Sequence, residues 1–140
     1  MRDLAQIKLF ADLPDKELKN IGEEFKDVVH PAGSEIMHVG SKGAGFMVIY
    51  DGGVLIKLPD GRTRELGPGD HFGEMALLDA EGRSVPVVAV GEVSLGVLPA
   101  WSFKAFLAEH PEVAYRLMQG LSQRLREVES HSTEHPHSDG

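Results

Sequence analysis

The residues whose types and spacing favour chemistry lie in one segment, from Gly73-Glu74 to Arg83-Ser84. A helix that begins at Gly73-Glu74 presents free backbone N–H groups and the positive end of its dipole, an arrangement that favours a phosphate. Arg83 can pair with a phosphate through two parallel hydrogen bonds, and Ser84 adds a hydroxyl. Glu74 repels a phosphate but can accept hydrogen bonds from ligand hydroxyls, as carboxylates do with ribose. The set suits a nucleotide; on these residues alone, a solvent-exposed turn is the alternative interpretation.

Around this segment the sequence predicts a mainly β protein. Short β-branched runs are separated by turn signals, a spacing that favours an antiparallel sandwich or barrel. Asp60-Gly61 predicts the clearest hairpin, with a two-residue type I′ turn. The segment Gly73–Leu78 contains good helix formers and predicts one helical turn or slightly more. The predicted strands are 26–30, 35–39, 45–50, 54–58, 63–66, 85–90 and 94–98.

Helical patterns occupy the two ends of the chain. Residues 3–25 show apolar positions at helical spacing, and a second helical piece starts at Asp12 or Pro14. Residues 101–107 form an apolar stripe, and residues 113–128 form another with spacings of three and four. These patterns predict helices on both sides of the β region.

Length and charge limit the possible classes of function. The 140 residues amount to about one domain, and we expect residues 1–128 to form it, followed by a polar, disordered tail over 129–140. The net charge of -8 disfavours nucleic acid and anionic membrane as partners. The chain has no cysteine, which excludes disulfides and thiolate metal sites. It also lacks a signal-peptide pattern and an apolar stretch of membrane-helix length, so we expect a cytoplasmic protein.

The Gly73–Ser84 segment resembles the phosphate-binding cassette of the cyclic nucleotide-binding domain family. This family includes modules of the catabolite activator protein, of cAMP-dependent protein kinase regulatory subunits and of cyclic-nucleotide-gated channels. Phe72-Gly73-Glu74-Met75-Ala76-Leu77-Leu78 followed by Arg83-Ser84 matches the cassette pattern. The resemblance covers residues 8–128 and implies an antiparallel β-roll with N-terminal helices, a short cassette helix and C-terminal helices. Upstream features match in the family's order, namely Leu9-Phe10, Pro31-Ala32-Gly33, Phe46-Met47-Val48-Ile49, Gly52-Gly53-Val54 and Gly67-Pro68-Gly69-Asp70.

The resemblance implies a role for each cassette residue. Glu74 would hold the ribose 2′-hydroxyl, and Arg83 would pair with the cyclic phosphate, with Ser84 hydrogen-bonding near it. A serine after the arginine resembles the bacterial cAMP-binding pattern, so cAMP is favoured over cGMP as the ligand. The implied ligand-binding residues, some of which line the ribose and phosphate with backbone groups, are Gly73, Glu74, Met75, Ala76, Arg83, Ser84 and Val85.

The implied activity is a ligand-controlled conformational switch and not an enzymatic reaction. The phosphate would pull on the cassette, whose apolar side chains Met75, Leu77 and Leu78 would repack against the helices after Pro99. Such a switch requires the ligand to bind one arrangement more tightly than the other. The terminal helix is expected either to pack on its own domain or to mediate a homodimer or a partner contact, because its apolar spacing is close to a heptad. A polar tail follows this helix, so we expect no output domain in this chain.

Two departures from the family pattern leave an alternative function open. Val85 stands where the family usually has alanine, and Pro86 where it has threonine, serine or a bulky residue. The extra methyls of Val85 can crowd the phosphate, and proline removes a backbone donor. The alternative is a ligand-free interaction or dimerisation module that retains the fold. A cupin-like metal enzyme would need a His-x-His pair in the barrel segment, which the sequence lacks, so we expect no metal site and no catalytic residues.

Overall fold

A computed structural model describes residues 3–37, 45–79 and 85–134, and these residues include a six-stranded antiparallel sheet. The predicted fold class, an antiparallel β-roll with flanking helices, is confirmed. The described part of the predicted 35–39 strand is Glu35–Met37. The strands are β1 (Lys26–His30), β2 (Glu35–Met37), β3 (Gly45–Lys57), β4 (Thr63–Leu66), β5 (His71–Phe72) and β6 (Val87–Pro99).

The two long strands β3 and β6 form the central pair of the sheet. The order is β1-β6-β3-β4, with β2 also on β6 and β5 also on β3. The sequence predicts two strands separated by a turn at residues 51–53, which is wrong. The chain continues in one strand, and its register on β6 shifts between Ile49 and Gly53. The extra residues are absorbed as bulges, which bend and twist a strand without reversing it.

The predicted hairpin at Asp60-Gly61 is present, but its turn is longer than expected. Strands β3 and β4 pair with Lys57 opposite Thr63. Gly61 has a φ of +91°, whereas Asp60 is not in the positive-φ region that a type I′ turn requires. The Gly61 N–H donates to the Leu58 carbonyl, and the Leu58 N–H donates to the Arg62 carbonyl. This is a three-residue loop, a turn closed by a left-handed glycine, for which Pro59 supplies a suitable fixed φ.

The N-terminal residues form two short 3₁₀ turns, Leu4–Gln6 and Lys8–Phe10, and the helix α1, Asp15–Glu24. Pro14 stands just before α1, as one of the two predicted starts, and the acidic Asp15 and Glu17 favour the positive end of the helix dipole. The rings of Phe10 and Phe25 lie 5.9 Å apart, and those of Phe25 and Phe46 lie 6.2 Å apart. An aromatic cluster therefore joins the N-terminal segment to β3.

The sheet encloses an apolar core that also takes in the segment after β5. That segment contains the predicted short helix, here α2, Glu74–Leu78. Burying these side chains supplies the main favourable free energy of the fold, and it seats α2 on the sheet through Ala76. The core residues are Ile36, Met37, Met47, Ile49, Val54, Phe72, Ala76, Val87, Ala89, Val93 and Leu95.

The chain divides into two compact units, Met1–Ala105 and Phe106–Gly140. The helix α3 spans Phe103–Glu109, and α4 spans Pro111–Glu134. Residues 129–134 are thus helical where the sequence predicts a disordered tail. None of the helices in the described part of the chain has the length and apolar character of a membrane-spanning segment.

The predicted apolar stripe over residues 101–107 is wrong at Trp101, which is 85% exposed, whereas Phe103 and Phe106 are buried. Trp101 lies in a 3₁₀ turn, Ala100–Ser102, that precedes α3. A 3₁₀ turn has three residues per turn instead of 3.6, so its side chains do not continue the face of the following α-helix.

Asp70 connects the N-terminal segment to the start of β5. Its carboxylate accepts hydrogen bonds from Lys8 Nζ at 2.8 Å and from the Gly67 N–H at 2.9 Å. Desolvation raises the pKa of Asp70, but the Gly67 hydrogen bond and the Lys8 charge outweigh it, and the net pKa lies below the usual 3.8. A lowered carboxyl pKa means that the charged form of Asp70 stabilises the folded state.

We expect Asp70→Asn to lower the free energy of unfolding at pH 7 by about 0.2–1 kcal/mol, since solvent screens the exposed Lys8. The contribution of the Asp70 charge is fully present above pH 3.8 and is lost as the pH falls below that value through the folded-state pKa. The difference between wild type and variant should therefore shrink towards pH 2–3. Urea unfolding of both proteins at pH 7 and at low pH measures it, with Lys8→Met completing a double-mutant cycle. An equal difference at both pH values contradicts the account.

Candidate functional site

The segment from β5 into α2 is fixed by a close approach of two backbones. Gly73 has a φ of +98° and caps the N-terminus of α2. A Cβ on Gly73 would overlap the carbonyl oxygen of Gly45, the first residue of β3. The position therefore requires glycine for two reasons: the backbone is left-handed, and there is no room for a side chain. Strand β5 also fixes the position of this segment along β3, because Phe72 pairs with Met47.

The carboxylate of Glu74 is buried at the start of α2, with Glu74 only 1% exposed. Its Oε1 lies 2.9 Å from Nδ1 of His71. The His71 ring also packs on Phe46, with ring centroids 5.5 Å apart. A buried carboxylate costs free energy unless hydrogen bonds compensate it, so this acid is held in a defined polar setting. Such a carboxylate can accept hydrogen bonds from the hydroxyl groups of a ligand.

The structure brings together part of the predicted set of site residues. Gly73 and Glu74 stand at the start of α2, and Ala76 turns its side chain into the core. Met75 is 54% exposed, and Val85 is partly buried just before β6. Arg83 and Ser84, predicted to bind the phosphate, lie outside the described residues. Their predicted roles stay predictions.

The sequence does not assign two residues that the structure places at this site. The sequence patterns assign no role at the site to His71, yet this residue contacts Glu74. The spacing of three residues permits this contact, but the pairing of β5 on β3 decides it. Gly45 contributes its carbonyl oxygen opposite Gly73. Its role depends on a strand pairing that no local pattern shows.

The sequence profile of the cyclic nucleotide-binding domain matches residues 27–110, which include β5 and α2. The chain belongs to the cyclic nucleotide-binding domain family. This family is regulatory and not catalytic. The match confirms the resemblance seen in the residues around Glu74.

Several known proteins show the same relationship. A cyclic nucleotide-gated potassium channel of Rhizobium etli is 35% identical over 86% of this chain and 34% of its own length. The cyclic AMP receptor protein of Thermus thermophilus is 33% identical over 86% of this chain and 58% of its own length. The crystal structure of the Thermus thermophilus catabolite activator protein superimposes with a TM-score of 0.79 and 32% identity, covering 90% of this chain and 62% of that one. The chain thus spans between a third and three fifths of the length of these relatives.

We expect Gly73→Ala to destabilise the domain more than a matched substitution at Gly91. Gly91 also has a positive φ, +73°, but a Cβ there would meet no atom within 4 Å. Gly91→Ala should cost about 1 kcal/mol from backbone strain alone, and Gly73→Ala about 2–4 kcal/mol because the Gly45 carbonyl must also move. Equilibrium unfolding in urea measures the stability of both variants. Equal losses of stability would show that the close approach of Gly73 to Gly45 does not limit the side chain at this position.

Proposed function

We propose that this chain binds a cyclic nucleotide at the segment from Gly73 to Val85, with cAMP favoured over cGMP. The observation that carries the proposal is the buried carboxylate of Glu74, directly after the left-handed Gly73, in a chain of this family. A buried carboxylate can accept a hydrogen bond from a ligand hydroxyl group, and the ribose of a nucleotide offers one. The family match supplies the class of nucleotide.

The ribose and the cyclic phosphate each have proposed counterparts in this segment. Glu74 accepts a hydrogen bond from the ribose 2′-hydroxyl. Backbone groups of Gly73, Met75 and Ala76 line the ribose and the phosphate. Arg83 pairs with the cyclic phosphate, Ser84 hydrogen-bonds near it, and Val85 borders it. In a protein of net charge -8, a local arginine is what makes an anionic ligand acceptable.

Two observations favour cAMP as the ligand. Ser84 follows the arginine as in the bacterial cAMP-binding pattern. The relative from Thermus thermophilus carries the name cyclic AMP receptor protein. A cGMP-dependent protein kinase of Eimeria tenella also matches, at 37% identity over 64% of this chain, so a direct comparison of the two nucleotides belongs in the test.

The proposed output of binding is a conformational switch that begins at α2. Met75 and Leu78 are about half exposed on this five-residue helix. A ligand that draws in the backbone of α2 changes the burial of these two side chains. The ligand shifts the population between two arrangements only by as much as it binds them differently.

The test is a calorimetric titration of cAMP and cGMP into wild type, Glu74→Ala and Arg83→Ala. Wild type should bind both, cAMP more tightly. Each variant loses a hydrogen bond to a charged group, so each should weaken cAMP binding by about 1.5–3 kcal/mol, or roughly 10- to 150-fold in Kd. Arg62→Ala is the matched control, because Arg62 is an exposed arginine of the β3–β4 loop, paired with Asp60. Its Kd should equal that of wild type.

Two outcomes oppose the proposal. A wild-type protein that binds neither nucleotide is not a cyclic nucleotide sensor, and an Arg83→Ala protein with unchanged Kd has another phosphate site. Circular dichroism of each variant separates loss of binding from loss of folding.

The second candidate function is an interaction module that has lost its ligand, and the departures at Val85 and Pro86 favour it. The carbonyl of Pro86 accepts a hydrogen bond from the Lys57 N–H at 3.0 Å, and Pro86 stands just before β6. Pro86 stands opposite Lys57 at the end of the ladder, so its missing N–H removes only a terminal hydrogen bond and leaves the pairing from Val87 onward in place. Absence of binding in the titration, together with a stable complex, supports this function.

The helix α4 is the proposed surface for a homodimer. Met118 and Leu125 are 60% and 59% exposed, and Val128 is also exposed. With Leu121 they repeat at spacings of three and four, the pattern of a two-stranded coiled coil. Large apolar side chains aligned on one exposed helix face favour contact with a second such face.

We expect Leu125→Lys to shift the protein from dimer to monomer in sedimentation velocity, because a charge would enter the apolar seam. Gln123→Lys adds the same charge on another face of α4 and should leave the dimer intact. A wild-type protein that sediments as a monomer with and without cAMP contradicts the proposed dimer and favours a different partner protein.

A further inference from the structure

The contact between His71 and Glu74 links the end of the sheet to the acid of the proposed site. Nδ1 of His71, in β5, lies 2.9 Å from Oε1 of Glu74, in the first turn of α2. The histidine side chain is 21% exposed, and that of Glu74 is 2% exposed. The ring thus stands between solvent and a carboxylate that is almost completely enclosed.

The chemistry of the two groups fixes the direction of this hydrogen bond. An ionised carboxylate has only acceptors, so Nδ1 of His71 carries the proton and donates it to Glu74. In the neutral ring the other nitrogen, Nε2, is then the acceptor. The contact therefore requires the Nδ1–H form of the ring.

The surroundings of His71 hold its ring in place. Its backbone pairs with Val48 of β3, and its ring packs on Phe46 with an interplanar angle of 48°. Phe46 is itself 1% exposed and contacts the ring of Phe103. The donor is thus anchored by the sheet, so it can fix the orientation of a glutamate side chain that has several rotatable bonds.

We infer that His71 is a positioning residue for the ribose, an inference that rests on the proposed function. Its Nδ1–H holds the Glu74 carboxylate in one orientation before the ligand arrives. A carboxylate has about four acceptor sites on its two oxygens, so it can accept the ribose 2′-hydroxyl while it holds His71. Because the Glu74 side chain is already ordered, binding does not have to meet the entropy cost of ordering it. The resulting gain in affinity applies only to ligands that carry the hydroxyl.

The experiment compares cAMP with 2′-deoxy-cAMP. The analogue lacks only the 2′-hydroxyl, the group from which Glu74 would accept a hydrogen bond. Wild type should prefer cAMP by about tenfold or more, because a site built for a hydroxyl rejects the analogue that lacks it. His71→Phe keeps a ring against Phe46 but has no donor. It should reduce the preference to about threefold or less, through weaker binding of cAMP alone.

His71→Asn is the rescue variant. Its side-chain amide N–H lies near the place of the Nδ1–H group, so it should restore most of the preference for cAMP. Should the phenylalanine variant fail to fold, His71→Leu also lacks the donor and gives the same comparison. Thermal unfolding of every variant measures the loss of stability separately from the change in preference.

A second measurement needs no ligand. The ¹⁵N chemical shifts of the His71 ring in the free protein should show the Nδ1–H tautomer, and the Nε2–H tautomer in neutral His71 would overturn the inference. Equal weakening of both nucleotides in His71→Phe shows a merely structural role and also overturns it.

The two proposals fail in different ways. A wild type that binds neither nucleotide defeats the proposed function and the role of His71 together. A wild type that prefers cAMP, with a His71→Phe variant that keeps the full preference, defeats the role of His71 alone.

Discussion

The site depends on a contact between two stretches of backbone, at Gly73 and Gly45. A Cβ on Gly73 would overlap the Gly45 carbonyl, so α2 can begin at this distance from β3 only with glycine in place. Phe46 follows directly in β3 and is part of an aromatic cluster, so one short stretch of strand sets both the start of α2 and its apolar surroundings. Glu74 is therefore buried by backbone geometry, against the usual preference of its side chain for solvent.

Two acids on either side of β5 are stabilised in different ways. Asp70 keeps partial contact with solvent, and its charge is stabilised by the Gly67 N–H and by Lys8. That charge serves the fold, because it ties the N-terminal segment to the sheet. Glu74 is almost completely enclosed, and its carboxylate lies 2.9 Å from Nδ1 of His71 in β5. Charged side chains are usually exposed. A charged side chain that is buried, among neighbours with the usual exposure, is a candidate for a functional role.

The sequence predicts the parts of this protein that local patterns determine. The helix at Glu74–Leu78 and the hairpin before it follow from helix formers and from turn residues, and both are present. Local patterns failed where pairing between distant strands decides the outcome: residues 51–53 resemble a turn but form bulges in a continuous strand, because β6 pairs on both sides of them. The partnership of His71 with Glu74 depends on a ring fixed by β3, so the spacing alone was not enough to assign it.

The long pairing of β3 with β6 joins parts of the chain that are far apart in sequence. Its partners are roughly thirty to fifty residues apart in the chain, and such pairing must close a large loop before its contacts repay the lost entropy. Strand β5 and α2 lie inside that loop. Glu74 is enclosed where α2 meets β3, so we expect the burial of this single carboxylate to depend on pairing between parts of the chain that are distant in sequence.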